Sequence, residues 1–384
     1  MKKLGRTGQG YLLNTIIIVL LFTAAQLVTA ALGGEGSFKL VLVPSIWQCC
    51  YLMILAASLN LVLGFLGQLS LGHCGFMAVG AYTAALLSLA CERAELFKDK
   101  EGAVFILVLF ACVLAAGILS ALIGLLVGIP ALRLKGDYLA IITLGFGMII
   151  INVINNLPFC GQDGLAQGSA AASLYKNGLG FGTKSKVEFL WAALLVTIIS
   201  VTLMFMFVRS KYGRAIRAIR DDEIAAAASG INTSYYKVLT FVYSAFFAGV
   251  AGALYSCANA TLSTSSFAFT NGGILNSTFI VVMVVLGGMG SITGSVTAAV
   301  IMFFINYQIK NGSWVSSLPA AVQAVFQYPM LVYAIVLIVV IMFRPRGIFG
   351  SYEFSLINLK KDLKAALERR AAAKAERKEA KSNG

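Results

Sequence analysis

Ten apolar runs, nearly free of charge, fill most of this 384-residue chain. They cover roughly residues 11–32, 40–63, 70–90, 103–128, 138–157, 188–208, 237–259, 274–288, 291–309 and 328–343. A hydrocarbon core of about 30 Å takes about 20 residues of helix. Backbone N–H and C=O groups find no water there, so each run has to satisfy them internally as a helix. Charged residues make up 12% of the chain, against about 25% in a soluble domain. That balance excludes an ordinary cytosolic enzyme, a disordered chain and a coiled coil. The expected fold class is all-α: a polytopic transmembrane helical bundle of about ten spans, with some helices broken by glycine.

The net charge is +14, yet it does not point to nucleic acid. The basic residues lie between the apolar runs, as the positive-inside rule requires. With Lys2, Lys3 and Arg6 inside, 22 of the 30 basic residues fall on the cytoplasmic side, which predicts both termini there. Residues 1–32 resemble a signal peptide, but the run is long for one and reads as a retained helix. The seven cysteines form no CxxC pair, and the chain has one histidine. The cysteines read as small buried hydrophobes, and no metal or other cofactor is expected.

The spans contain almost no ionisable groups, which argues against an ion-coupled carrier. Small residues recur at helix-packing spacing: Gly124 with Gly128; Ala245, Gly249 and Ala253; Gly80 with Ala84. These suit close helix contact in lipid. Two glycine-dense segments differ from the rest. One runs from Asn60 through Gly64, Gly67, Gln68, Ser70, Gly72 and His73; the other holds Gly287, Gly288, Gly290 and Ser291. They align as a weak internal repeat, Gly64 with Gly287, Gly67 with Gly290 and Ser70 with Thr293. Such segments break a helix, and a broken helix at membrane depth has to be buried in protein or line a wet cavity. These residues are therefore candidates for a solute pathway, the alternative being a tight cytoplasmic turn that binds nothing. His73 is the one span residue whose ordinary pKa lies near neutrality, but a lone histidine also serves as a structural donor. Asn152, Asn155 and Asn156 either line an outer mouth or bond between helices.

Residues 209–236 form a charged loop expected inside. Arg217 with Asp221 and Arg220 with Glu223 stand at helical spacing. Ala225 to Ala228 favour helix, Gly230 suits its stop, and Asn232 or Ser234 suits the next cap. A short surface helix flanked by Gly213 and Gly230 is a plausible dock for a soluble partner. Residues 351–384 form a basic tail with leucines at 356, 359, 363 and 367, suited to anionic lipid or a partner. The expected domains are thus a permease unit over 1–350 and this tail over 351–384. No Walker A, HExxH or GxSxG pattern is present, so nothing marks an enzyme, and any ATP hydrolysis belongs to another subunit.

Four ordered stretches resemble the permease subunits of branched-chain amino acid ABC importers, the LivM-like type. They are residues 59–82, 132–147 (with Thr143), 213–231, and 285–291 together with Arg344 to Gly347. The resemblance implies a bacterial inner-membrane subunit forming half of a translocation pathway. It implies a second homologous permease, two cytoplasmic ABC ATPases and an extracytoplasmic substrate-binding protein. It adds Thr143 to the pathway candidates. It makes Gly213, Arg214, Arg217, Arg220, Asp221, Glu223 and Gly230 the segment that couples to the ATPases. Met148 stands where relatives often carry an acidic residue, so urea or another small amide remains an alternative substrate. A self-sufficient carrier or channel is a second alternative.

Overall fold

The apolar runs become helices wherever the structure, a computed structural model, describes them. It describes residues 37–93, 103–132, 137–157, 190–259, 262–267, 277–311, 329–343, 347–348 and 350. The run at 11–32, the Arg133 and Lys135 loop, Arg344, Arg346 and the tail lie outside the described residues.

Helix α1 (Ser37–Asn60) continues into a single π turn (Leu61–Phe65). Then follow α2 (His73–Arg93), α3 (Ala103–Ala131), α4 (Asp137–Asn156) and α5 (Leu190–Arg209). Two short helices come next, α6 (Lys211–Asp221) and α7 (Glu223–Ala228), before the long α8 (Thr233–Ala258). A 3₁₀ turn (Thr264–Phe267) precedes α9 (Ser277–Gly287), α10 (Ile292–Asn311) and α11 (Pro329–Phe343).

Six of the described helices are long and apolar enough to cross a membrane, and three more apolar helices are shorter. The expectation of ten full spans is corrected to that extent. Hydropathy reads the run at 274–288 as a span because it cannot see that the helix there, α9, has only 11 residues, about 16 Å of helix. The architecture is nevertheless an all-α, multi-pass membrane bundle.

Helix α8 is the centre of the bundle and packs along α1, α2 and α3. Backbones approach closely there because side chains are missing. A Cβ on Gly80 would lie 2.2 Å from the Gly249 carbonyl oxygen, and one on Gly124 would lie 2.5 Å from the Ala245 Cβ. Ser120 Oγ lies 3.0 Å from the Phe76 carbonyl and 2.9 Å from the Ala245 carbonyl, joining α3 to α2 and α8. The outer faces of α3, α4 and α5 expose large apolar side chains such as Leu107, Leu114, Leu122, Leu126, Ile141, Ile149 and Ile199. On a multi-pass bundle that is the surface for lipid.

The connection from α5 through α6 and α7 to α8 closes one end of the bundle. The turn after α1 and the turn between α9 and α10 lie at that same end, against α6.

Candidate functional site

The two glycine segments separated by more than 200 residues meet in space. Asn60, at the end of α1 and fully buried, reaches into the turn between α9 and α10. Its amide nitrogen donates to the Ser291 carbonyl at 2.8 Å and to Ser295 Oγ at 2.6 Å. Its amide oxygen accepts from the Gly290 N–H at 3.1 Å. Gly64 sits against this contact, since a Cβ there would lie 1.8 Å from Asn60 Oδ1 and 2.3 Å from the Gly290 nitrogen. On the other flank, Ile348 N–H donates to the Leu286 carbonyl at 2.9 Å, and Gly347 and Gly350 abut Gly288. Gly287 faces Gly294 and lets α9 and α10 close on each other.

Beyond the π turn the chain does not re-form a helix until His73. Residues 67–72 are irregular, yet they end beside the start of α9, where the Cys74 N–H donates to Ser277 Oγ at 3.3 Å. The irregular segment therefore climbs the length of α9, about 16 Å, back into the bundle. Unwound backbone at that depth survives only when protein or enclosed water satisfies it. Thr143 on α4 supplies one partner, its hydroxyl accepting from the Leu71 N–H at 3.1 Å. Gly72 lies flat on the Thr143 carbonyl, where a Cβ would come within 2.1 Å. The buried oxygens Gln68 Oε1 and Ser70 Oγ have no hydrogen-bond partner among the described residues. A narrow cleft alongside is lined by Leu71, Gly72, Leu144, Met148, Phe267 and Ser277, among others.

His73 is 2% exposed and bonds Ser58 through Nε2 at 2.7 Å. Ser58 Oγ also lies 2.8 Å from the Leu55 carbonyl. Either group can supply the proton shared by Ser58 and His73, according to the imidazole tautomer. Ser244 Oγ donates to the Ser58 carbonyl at 2.6 Å, so α1, α2 and α8 are tied at one level. His73 thus takes part in the contacts between α1 and α2.

The charged loop differs from its expected form. It holds two helices, because Asp222 breaks the first and caps the second, accepting from the N–H groups of Ile224 at 2.8 Å and Ala225 at 3.0 Å. Gly213 does not flank the helix. It lies inside α6, pressed on the Val208 carbonyl at the end of α5. Arg217 does not pair with Asp221: it caps the end of α5, donating to the Val208 carbonyl at 2.9 Å and to Gly213 at 3.3 Å. Arg220 does not pair with Glu223: it holds Asp221 at 3.1 Å and donates from Nη1 to the Gly64 carbonyl at 3.0 Å. Glu223 instead takes Lys237 of α8, at 2.7 Å. Gly230, at φ +83°, ends α7 as expected, and Asn232 caps α8 by accepting from the Tyr235 N–H. Arg214, Ile224, Ala225, Ala227 and Ala228 are exposed.

The family described as "Branched-chain amino acid transport system / permease component" matches residues 41–341. The chain belongs to this family. It is 32% identical over 352 residues to the high-affinity branched-chain amino acid transport system permease protein LivM of Salmonella typhimurium, covering 85% of this chain and 74% of the relative. It is 33% identical over 316 residues to LivM of Escherichia coli, covering 77% of this chain and 67% of the relative. LivH of Escherichia coli, also a permease protein of a branched-chain amino acid transport system, is 30% identical over 164 residues, 41% of this chain and 46% of the relative. No solved structure matches the chain.

Sequence reasoning about this permease missed Ser295, Ser58, Ser244 and Lys237. Lone serines in apolar helices carry no local signal of their partners. Lys237 was legible in hindsight as a cation at the head of a span, 14 residues after a glutamate.

Proposed function

We propose that this chain is one of two homologous permease subunits forming the translocation pathway of an ATP-driven importer for branched-chain amino acids. The relatives' transport role and the chain's partial likeness to a LivH permease support this reading. The observation that carries it is the placement of α6 and α7. Their inner side is fastened to the junction of the two glycine turns through Arg220, and their outer side exposes Ile224 and three alanines. A soluble motor docked on that outer side acts directly on the turns.

In this reading the multi-pass bundle sits in a bacterial inner membrane with both termini in the cytoplasm. Residues 1–350 form the permease unit and 351–384 a basic tail. Residues 209–236 face two cytoplasmic ATPases, with Gly213, Arg214, Arg217, Arg220, Asp221, Glu223 and Gly230 as the coupling set. An extracytoplasmic binding protein delivers the solute. The solute passes the irregular segment of Gln68, Ser70 and Gly72, beside Thr143. Asn60, Gly64, Gly67, Gly287, Gly288, Gly290 and Ser291 shape the inner mouth, and His73 holds the start of α2 in place.

The test is uptake of labelled leucine into proteoliposomes. One set holds this chain alone; the other adds the second permease, the ATPases, the binding protein and internal ATP. Uptake only in the complete set supports the reading, and competition by isoleucine, valine or urea then names the substrate. Uptake by the chain alone overturns it in favour of a self-sufficient carrier or channel.

A further inference from the structure

The geometry points to Arg220 as a latch that holds the inner mouth shut between transport cycles. This inference rests on the reading of α6 and α7 as the ATPase-facing segment.

The π turn leaves the Gly64 carbonyl without its helical partner. In a regular helix it would accept from the Gln68 N–H, but that group donates to the Val62 carbonyl at 3.0 Å, and the Leu66 N–H donates to Leu61. A helix end left this way takes its missing donor from outside the helix, and a cation suits it because the carbonyl end is negative. Arg220 Nη1 is that donor, from a residue 156 positions further along the chain.

The rest of the side chain is fitted as closely. Gly67 has φ +76°, and a Cβ there would lie 2.7 Å from Arg220 Cγ. Gly290 has φ +90°, and a Cβ there would lie 3.2 Å from Arg220 Nη1. The arginine therefore threads between one glycine of each repeat. These positions are paired in the internal repeat, Gly67 with Gly290, so the latch sits where the two halves meet. Asp221 holds the opposite edge of the guanidinium through Nε and Nη2, which fixes the plane that presents Nη1 to Gly64.

The latch also has a moving part. Arg220 stands at the last turn of α6, immediately before the Asp222 break. The irregular segment with its two partnerless oxygens begins directly beyond Gly67. Displacing the end of α6 withdraws the guanidinium from both turns, frees Gly64 and leaves the π turn able to move from Gly290. Arg220 is a positioning residue in this scheme and touches no substrate.

The experiment places a cysteine at Ser70, which is 1% exposed, in a chain whose seven native cysteines are replaced. The complex with its second permease, ATPases and binding protein is labelled from the inner side with a water-soluble maleimide, without nucleotide. R220A is expected to raise the labelling rate about tenfold, the equilibrium effect of losing one charge-assisted hydrogen bond, and to lower leucine transported per ATP. R220K, which keeps the charge without the planar fork, is expected to fall between. G67A, which leaves the arginine intact but displaces its stem, is expected to raise labelling too, and decides the matter should R220A not assemble. Wild-type labelling rates in R220A, or in G67A in that case, overturn the latch. An absence of ATP-driven uptake in the wild-type complex would instead overturn the transport reading, and the labelling contrast would still decide the latch.

Discussion

Asn60 and Ser291 are joined at 2.8 Å across 231 residues of sequence. The bond is one of three that satisfy the whole Asn60 amide, on the turn between α9 and α10 and on the first turn of α10. A fully buried amide with both donors and its acceptor engaged fixes one relative position of two hairpins. It does so where apolar side chains, which slide past each other, would not.

Replacing Asn60 by leucine is therefore expected to destabilise the permease by about 1–3 kcal/mol, the cost of one buried group left alone. The Gly290 N–H would lose its partner, whereas the Ser291 carbonyl would keep the donors it has on Ser295. Thermal unfolding in detergent checks this. An unfolding midpoint within a degree of wild type would show that the two hairpins do not depend on Asn60 for their alignment.

Two glycines in this end of the molecule should respond very differently to alanine. At Gly64 the added carbon meets Asn60 Oδ1 and the Gly290 nitrogen, both held by hydrogen bonds, so G64A is expected to abolish a folded product. At Gly230 there is nothing within 4 Å of the new carbon, and only φ +83° resists it, a cost of about 1 kcal/mol. Size-exclusion profiles of the two variants after membrane extraction make the comparison. Equal recovery of both would count against the tight junction at Gly64.

The spans of α1 to α5 and α8 were legible because hydropathy over about 20 residues is a direct physical requirement of the bilayer. Gly230 and Asn232 were legible because helix ends need particular side chains locally. The partners of Arg217, Arg220 and Glu223 were not. Helical spacing proposes neighbours on one helix, but Asp222 interrupts that helix between Arg220 and Glu223, and Arg217, on the same helix as Asp221, turns to the Val208 carbonyl of α5 and leaves Asp221 to Arg220. Gly64 with Gly290 shows the middle case. The repeat marked both positions as special, yet only the fold shows that they are special because they touch.

The pair of Lys237 and Glu223 offers a test of unequal partners. The lysine side chain is 5% exposed and the glutamate 36%. Removing the carboxylate by E223A leaves a buried cation alone, whereas K237M removes the buried charge itself. E223A is expected to be the more damaging, by about 1–2 kcal/mol after discounting for the solvent that reaches the glutamate. E223Q should recover part of the loss because its amide oxygen can still accept from Nζ. The unfolding midpoints of the three variants give the order, and a K237M variant less stable than E223A would show that the lysine acts by something other than its charge.

Ile224 is 80% exposed on the six-residue α7, beyond the end of α5 rather than on a lipid-facing span. Alone it would mean little, since single apolar residues are common on surfaces. Here it stands with the exposed Ala225, Ala227 and Ala228 on a helix whose position is fixed by Asp222, Glu223 and Gly230. A rigid, small-residue helix with one large apolar side chain is suited to fill a groove in a soluble partner. I224D is expected to leave the unfolding midpoint of the isolated permease unchanged, because the side chain supports nothing inside the bundle. It is expected to reduce ATPase recovery in a pull-down about tenfold or more, on the scale of losing a buried apolar anchor. I224L should retain most of the binding. Full recovery of the ATPases with I224D would place their contact elsewhere on the loop, and a falling midpoint in the permease alone would show that α7 belongs to the fold rather than to an interface.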